Sequence, residues 1–519
     1  MNRTRALSGK FTRQTFLNVV GAGAACIALL NIPGCKEDRQ KEGRQKGDRQ
    51  SHDSALALPT DVGAFRSRPD LSPPAVEITV QAHETAPGYI FVATKRGDPA
   101  QGGSMILDDH AQVVWFHPMQ GSRQRAMDFK VQHYQGRPVL TWGEGRIVNE
   151  RRFNEYVIVD SSYQEVTRFR AGNGYQGDHH EFLITPQDTA LITIFHRVPS
   201  DLSSVGGPAD GAVLDGIAQE IDIETGEVLF EWHSLDHIDL DESYLEPGSG
   251  HRRHFDYFHI NSIDVDHDDN LLISARETSA VYKVDRGTGE VIWRLGGKKS
   301  VFEMGEGARF AFQHDARRLR DGTISIFDNG SLVFENGLPK AVEESRAIVL
   351  KLDEREMRAS LVREYTHPDG QHAHAAGNAQ VLPNGNVFVG WGRALAVSEF
   401  GKDGRLLFDF TLPPQNKTYR AFRFPWSGHP TERPAAAAER ASEEEVRVYA
   451  SWNGATEVTT WQVLAGAKPG QVSKPVGSTA RRGFETAIAV RTGEPYVAVQ
   501  AKDASGRVLG TTEAVKPED

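Results

Sequence analysis

The chain alternates short apolar runs with tight polar turns over most of its length. The pattern is clearest in EFLITPQDTALITIF followed by AQEIDIETGEVLFEW, and it returns in NSIDVDHDDNLLISAR followed by SAVYKVDRGTGEVIWRLGG. Two further copies begin at DARRLRDGTISIFDN and NAQVLPNGNVFVGWG, and two weaker copies precede all of these. Strand-length runs separated by turns such as PNG, RDG and ETG are typical of antiparallel hairpins. Six four-stranded units predict an all-β fold, a six-bladed β-propeller over about residues 80–415.

A change of texture separates these repeats from the C-terminal part of the chain. Residues 416–445 are rich in Pro, Ala and Glu and have little periodicity, which indicates a linker. VRVYASWNGATEV, TTWQVLAG, FETAIAV and PYVAVQAKD then read as short alternating strands. They predict a small β-sandwich of the immunoglobulin or fibronectin type over residues 446–519, with a capping or bracing role.

The first 35 residues have the anatomy of an export signal, with basic residues followed by an apolar run too short for a membrane span. The stretch TRQTFL resembles a twin-arginine signal in which Gln14 replaces the second arginine, so the export route stays open. IPGC resembles a lipoprotein box, and Cys35 would then be the lipidated first residue of the mature chain. Ordinary cleavage nearby is the alternative. Residues 36–79 are expected to be a polar tether and lead-in, and the protein to be exported to the periplasm or cell surface.

The charge balance argues against a nucleic-acid partner. The chain has 59 basic and 70 acidic residues and a net charge of -11, whereas nucleic-acid binders normally carry a basic excess or stripe. No cysteine follows Cys35, so the predicted domains depend on packing without disulfides. Membrane contact is expected only through a lipid anchor at Cys35.

Four histidines occupy nearly the same place in successive repeats. Aligning the units by their first turn puts His180, His259, His314 and His374 just before or at the start of the innermost strand. Because the innermost strands of a propeller line one central channel, these residues would converge at one mouth. A single histidine is more often a satisfied packing residue than a ligand, but four at equivalent positions favour a site.

Two arginines are candidate anion ligands in the same units. Arg276 follows the second strand of the His259 unit, and Arg317 lies three residues after His314. Either could hold an anion in a bidentate fork, and an ion pair between neighbouring blades is the alternative for Arg317. Imidazoles also suit zinc, copper or iron, but the histidines come from separate units without a recognised motif spacing, so no metal is expected.

Several long stretches resemble one known family. HHEFLITPQDTALITIFHRVPSDLSSVGG, QEIDIETGEVLFEWHSLDHIDLDESY, DYFHINSIDVD, LLISARETSAVYKVDRGTGEVIWRLGG, FAFQHDARRL and SIFDNG are similar to the bacterial and fungal arylsulfotransferase-like family. That family is related to the periplasmic arylsulfate sulfotransferases, and the resemblance covers roughly residues 80–415.

The resemblance implies a transferase that moves a sulfuryl group from an aryl sulfate to a phenol through a sulfated histidine, without a nucleotide donor or other cofactor. It implies that His314 is the nucleophile and that His259 and Arg276 bind the sulfate. His180 would be a further active-site histidine, while His374 has only its repeat position in its favour. Two alternatives stay open: a non-catalytic propeller that binds an anionic or aromatic ligand, and a metal-dependent propeller enzyme such as a lyase.

Overall fold

The computed structural model describes residues 64–519 apart from 96–99, 120–123, 149–150, 249–253, 331, 336–337 and 342. The predicted export signal with Cys35, and residues 36–63 of the predicted tether, therefore lie outside the described residues. The protein is all-β, as predicted, with 51% of residues in strands and 4% in helix. The helical segments with bounds in the described part are single 3-10 turns at Ser203–Val205, Ser234–Asp236, Leu240–Glu242, Gly392–Ala394 and Pro469–Gln471.

Six antiparallel sheets of four or five strands account for the repeats. The first contains β28 (Thr418–Phe424), β2 (Tyr89–Thr94), β3 (Gly103–Leu107) and β4 (Val113–Pro118). The second contains β5 (Arg125–Tyr134), β6 (Arg137–Val148), β7 (Arg151–Val159) and β8 (Glu165–Phe169). The third contains β9 (Gly177–Ile184), β10 (Thr189–Ser200), β11 (Gly211–Asp222) and β12 (Val228–His233).

The remaining three sheets each contain four antiparallel strands in chain order, and two of them gain a fifth strand at one edge. The fourth contains β13 (Ile260–Val265), β14 (Leu271–Ala275), β15 (Ala280–Val284) and β16 (Val291–Gly296). The fifth contains β18 (His314–Arg318), β19 (Ile324–Asp328), β22 (Arg346–Asp353), β23 (Arg358–Thr366) and the parallel edge strand β17 (Glu303–Met304). The sixth contains β24 (Asn378–Val381), β25 (Val387–Gly390), β26 (Ala396–Phe400), β27 (Leu406–Thr411) and β1 (Glu77–Val80). The hairpin of β20 (Leu332–Glu335) and β21 (Leu338–Ala341) joins β19 to β22.

Each sheet packs on its neighbours through both faces. Strand β14, for example, is buried at all five positions, Leu272 facing the fifth sheet and Ile273 the third. Hydrophobic clusters join the first sheet to the second, the second to the third, and so on to the sixth. A further cluster, which contains Val92 of β2 and Phe388 of β25, joins the sixth sheet to the first. Since packing uses both faces, the strands read as continuous apolar runs.

The first sheet combines strands from distant parts of the chain. Its strand β28 pairs antiparallel with β2, with Tyr89 opposite Phe424 and Val92 opposite Ala421. The prediction of a linker over residues 416–445 is therefore corrected: this segment holds β28 and also β29 (Ala435–Arg440). The sequence analysis missed β28 because its partner, β2, lies more than 300 residues earlier in the chain.

The C-terminal part forms two further sheets. One contains β29, β30 (Glu445–Ser451) and β33 (Glu485–Arg491); the other contains β32 (Lys474–Ala480), β31 (Thr460–Gly466), β34 (Tyr496–Lys502) and β35 (Val508–Thr511). One hydrophobic cluster, which includes Val448 and Val499, draws on both sheets. Asn453 binds β4 through the backbone N–H and carbonyl of Phe116 at 2.8 and 3.0 Å. Among the described residues, no helix is long and apolar enough to cross a membrane.

A buried ionic network joins edge strands of four sheets, β5, β9, β18 and β28. The carboxylate of Glu181 on β9 has no solvent exposure and accepts hydrogen bonds from Lys130 of β5 (2.9 Å), Arg317 of β18 and Arg420 of β28 (3.3 Å). Arg420 also donates to Asp128 of β5 at 2.9 Å. Buried charges are tolerated only when they are paired, so these strands are held in one mutual arrangement.

Replacement of Arg420 by Gln should destabilise the protein strongly, because Asp128 and Glu181 would lose a buried counter-charge. We expect the free energy of unfolding to fall by about 3–5 kcal/mol, measured by chemical denaturation. The matched control is Arg405→Gln, which breaks exposed pairs with Asp403 and Glu84 and should leave the transition nearly unchanged. Coincident transitions for Arg420→Gln and Arg405→Gln would contradict the structural role of the network.

Candidate active site

His259 and His314 lie where the edge strands β13 and β18 begin, and register shifts disturb the pairing at both places. The β13–β14 pairing shifts register between Ile260 and Ser262, and the β18–β19 pairing shifts between His314 and Arg317. The backbone at His259 has a φ of 56°, a left-handed conformation that is uncommon outside glycine. A bulge turns a side chain away from the regular alternation of a strand. The local geometry therefore aims these side chains at a common space.

His314 is buried, with 1% of its surface exposed, and both ring nitrogens have hydrogen-bond partners. Its Nδ1 lies 2.7 Å from Oδ1 of Asn329, at the end of β19. The Asn329 amide donates to the carbonyls of Ala373 (2.6 Å) and Ala376 (3.0 Å), which fixes its oxygen towards the imidazole. The backbone N–H of Ala376 donates to His314 Nε2 at 3.2 Å.

These contacts define the chemical state of His314. An amide oxygen at Nδ1 and an N–H donor at Nε2 require the neutral tautomer with its proton on Nδ1 and its lone pair on Nε2. Burial, followed by the charge of Arg276, lowers the pKa of His314 well below its ordinary value of 6.5. The side chain is thus a neutral imidazole at physiological pH, the form in which Nε2 is nucleophilic.

His180 and His259 have a different kind of partner. Nδ1 of His259 lies 2.6 Å from the Asp256 carboxylate, and Nδ1 of His180 contacts the Asp178 carboxylate. Burial acts to raise the pKa of Asp178, but the charge and hydrogen bond of His180 outweigh it and lower that pKa below its usual range. A carboxylate at Nδ1 orients an imidazole and stabilises its protonated form. Both histidines are therefore suited to carry a proton or to meet an anion.

The three imidazoles and Tyr419 form one aromatic group. The ring centroids of His180 and His259 are 5.1 Å apart, and Tyr419 lies 5.2 Å from His180 and 6.3 Å from His314. The charges of His259 and His180 also act to lower the pKa of His314. The structure therefore brings together the three histidines of the predicted catalytic set.

Arg276 completes the group. Its guanidinium is buried, pairs with Glu277, donates to the carbonyl of His374 at 2.8 Å and lies over the Phe312 ring at 5.1 Å. Its Nε is buried and has no hydrogen-bond acceptor among the described residues. Since a buried donor without a partner is costly, this N–H is available to an entering anion.

The other two predicted ligands have different surroundings. Arg317 donates to Asp315 (2.9 Å), to the carbonyl of Ile263 in the neighbouring fourth sheet (2.9 Å) and to Glu181 of the third sheet. These contacts favour the ion-pair interpretation of Arg317 over direct ligand contact. His374 reaches the site through its backbone carbonyl, which accepts the Arg276 hydrogen bond.

Sequence reasoning missed the residues that orient the histidines. Asn329 lies within SIFDNG, one of the stretches that carry the family resemblance, and its place at the end of the strand paired with the His314 strand could have indicated it. Asp315, the residue after His314, pairs with Arg317 and Arg420. Tyr419 lies on β28, which was not recognised as a strand.

Asp256, His259 and Glu277 place ligand atoms within 4.8 Å of one another, the grouping among the described residues that could hold a metal ion. The Arg276 guanidinium already neutralises Glu277, which opposes a second cation there.

A cavity of about 670 Å³ lies next to Arg276. It is lined by Phe312, whose ring lies against the Arg276 guanidinium, and by Tyr244, Phe302 and Phe310.

Solved structures of low similarity match part of the chain. A protein of unknown function from Bacteroides caccae has 14% identity, covering 65% of this chain and all of that chain, with a TM-score of 0.37. A streptogramin B lyase has 9% identity, covering 65% of this chain and 88% of that chain, with a TM-score of 0.34. Hydrazine synthase of Kuenenia stuttgartiensis has 13% identity, covering 63% of this chain and 64% of that chain, with a TM-score of 0.25. These likenesses support no inference about function.

No curated protein sequence matches the chain. The sequence profile of the family described as Arylsulfotransferase (ASST) matches residues 130–412, which is more than half of the chain and includes all six residues predicted for the catalytic and substrate-binding set. The chain therefore belongs to the arylsulfotransferase (ASST) family.

Proposed function

We propose that the protein transfers a sulfuryl group from an aryl sulfate to a phenol through a sulfated His314. Family membership supports sulfotransfer in general. The observation that carries the specific proposal is the contrast between the Nδ1 partners: an amide for His314, and carboxylates for His180 and His259. The first keeps a neutral nucleophile, and the other two favour proton carriers and anion ligands.

We further propose that the protein is a β-propeller braced by a β-sandwich and that it is exported. The six sheets, with the sixth packed on the first, would close as a six-bladed β-propeller, and the two C-terminal sheets would form a β-sandwich that braces it. The N-terminal features favour export, with Cys35 as the lipid attachment point.

In the first step, Nε2 of His314 attacks the sulfur, the S–N bond forms, and the bond from sulfur to the aryl oxygen breaks. The hydrogen bond from Ala376 N–H to Nε2 is released, so that this donor becomes available to a sulfuryl oxygen. Arg276 and His259 compensate the negative charge of the sulfuryl oxygens. The departing phenolate takes a proton from His180, whose ring is held by Asp178.

In the second step, a phenol enters and loses its proton to His180. The phenol oxygen attacks the sulfur, the S–N bond breaks, and the electron pair returns to Nε2. His314 is again neutral with its proton on Nδ1, so the cycle needs neither a nucleotide nor an oxidant.

Incubation with a chromogenic aryl sulfate in the absence of phenol should add about one sulfuryl group to the protein, detected by intact mass. His314→Ala should abolish this adduct and the turnover, because the nucleophile is lost. The matched control, His110→Ala, removes an exposed histidine from a turn and should retain both. An unchanged adduct in His314→Ala would place the covalent step elsewhere, and no adduct with any of several donors would overturn the proposal.

Asn329→Ala should slow adduct formation by about 100-fold or more, because His314 loses the partner that fixes its tautomer. The measurement is the rate of sulfuryl transfer to the protein in a single turnover, with chemical denaturation to confirm a folded variant. Asn329 also binds the carbonyls of Ala373 and Ala376, so the substitution removes a support of this backbone segment as well. Peptide mapping must therefore show that the variant carries the adduct on the same histidine as the wild type. A folded variant with the wild-type rate would contradict the orienting role.

The first step should be insensitive to pH from about 8 to about 6.5 when the leaving phenol is acidic enough to depart unprotonated. Lowering the pH converts a neutral imidazole to the unreactive cation, but His314 has its pKa well below 6.5 and stays neutral over this range. Loss of rate is expected only below about pH 6.5. A half-maximal rate at or above that pH, in the wild type and in His180→Gln alike, would show that His314 is not held neutral.

A further inference from the structure

A group of cations lies beside the site and is not used by the proposed mechanism. We call it the cationic cluster, and it consists of Lys95, Arg125, Arg393 and Lys417. Lys95 and Lys417 are backbone neighbours, since the N–H of Lys95 donates to the carbonyl of Lys417 at 2.8 Å. Arg393 is tied to the site segment, because its N–H donates to the carbonyl of Ala375 at 3.2 Å. The preceding residue, His374, accepts the hydrogen bond of Arg276, so the cluster adjoins the proposed sulfuryl site.

The cluster has no counter-charge in the described part of the chain. Elsewhere buried arginines pair with carboxylates, as Arg318 does with Asp266 and Arg423 with Glu399. None of the four cluster cations forms an ion pair with a described residue, and the charged groups that act on Lys95, Arg393 and His374 are all cations. An uncompensated group of like charges is an anion-binding surface.

Repulsion within this arrangement lowers the pKa values of Lys95 and His374. Burial, with the charges of Arg393, Arg125 and Lys417, lowers the pKa of Lys95 to about 8. Burial and the charges of Arg393, Arg276 and Lys417 lower the pKa of His374. A bound anion would relieve this repulsion, so the cluster gains more from an anion than an isolated surface lysine would.

We propose that the cationic cluster binds a second anionic group of the aromatic substrate, such as a carboxylate or sulfonate, while the phenol or its sulfate ester lies at His314. This inference rests on the proposed function. A sulfate monoester carries one negative charge, which Arg276 and His259 match, and the four cluster cations exceed that requirement. The preferred acceptors are therefore anionic phenols rather than neutral ones.

The test compares 4-hydroxybenzoate with its neutral isostere 4-hydroxybenzamide, by calorimetric titration of the full chain at low salt. We expect the wild type to bind the benzoate about tenfold or more tightly, and high salt to weaken this preference. The preference should fall as the pH rises from about 6.5 to about 8, because Lys95, whose pKa is lowered to about 8, loses part of its charge while both phenols stay largely un-ionised.

In the double variant Arg393→Gln/Lys417→Gln the preference should drop to about twofold or less, since two of the four charges are removed. Lys351→Gln, which removes a lysine at an exposed strand position, should keep the wild-type preference. If the double variant fails to fold, Arg125→Gln/Lys417→Gln changes only exposed residues and should also reduce the preference.

Equal affinity of the wild type for the two ligands, or an unchanged preference in the folded cluster variants, would overturn the inference. The His314 adduct with an aryl sulfate is measured in the same preparation. An adduct without the preference refutes the cluster role alone. The preference without an adduct supports the anionic ligand and refutes sulfuryl transfer.

Discussion

The structure depends on the pairing of one buried carboxylate. Glu181 has no access to water and is compensated by cations from three other sheets, Lys130, Arg317 and Arg420. Such a buried charge is costly unless every partner is in place, so β5, β9, β18 and β28 cannot shift independently. Hydrophobic packing between sheets tolerates small displacements, whereas this network accepts one arrangement. The relative positions of these four strands are therefore determined by ion pairs, and the packing of whole sheets on one another by apolar contacts.

The candidate active site is built from the sequence neighbours of that network. His180 precedes Glu181, His314 precedes Asp315, and Tyr419 precedes Arg420. Successive residues of a strand project in different directions, so one residue of each pair can join the ionic network while the other faces the site. A precise position of the imidazoles thus follows from the need to neutralise buried charge. Catalytic groups need such rigid support, because small displacements are costly in rate.

The sequence predicted the all-β class, the repeats and the convergence of His180, His259 and His314, because periodicity and repeat position survive without knowledge of packing. His374, predicted to converge with them, contributes only its backbone carbonyl to Arg276. It did not predict β28, since a strand is recognised by its partner and β2 lies more than 300 residues away. Asn329 was missed because it acts through the nitrogen of another side chain, a relation that only the folded register creates. Arg317 shows the limit of residue type, since both an anion ligand and an ion pair need the same guanidinium.

The pairing of β28 with β2 has a consequence for the order of folding. The first sheet needs residues 89–118 and residues 418–424 together, so it cannot form until the chain has been synthesised as far as Phe424. Closing so long a loop is slow, and until then the edge of β2 that pairs with β28 stays open and Phe91 lacks its contact with Phe424. The region that the family profile matches, residues 130–412, contains neither β2 nor β28. A fragment cut to those limits would lack the first sheet and so would expose the apolar faces that the second and sixth sheets pack against it.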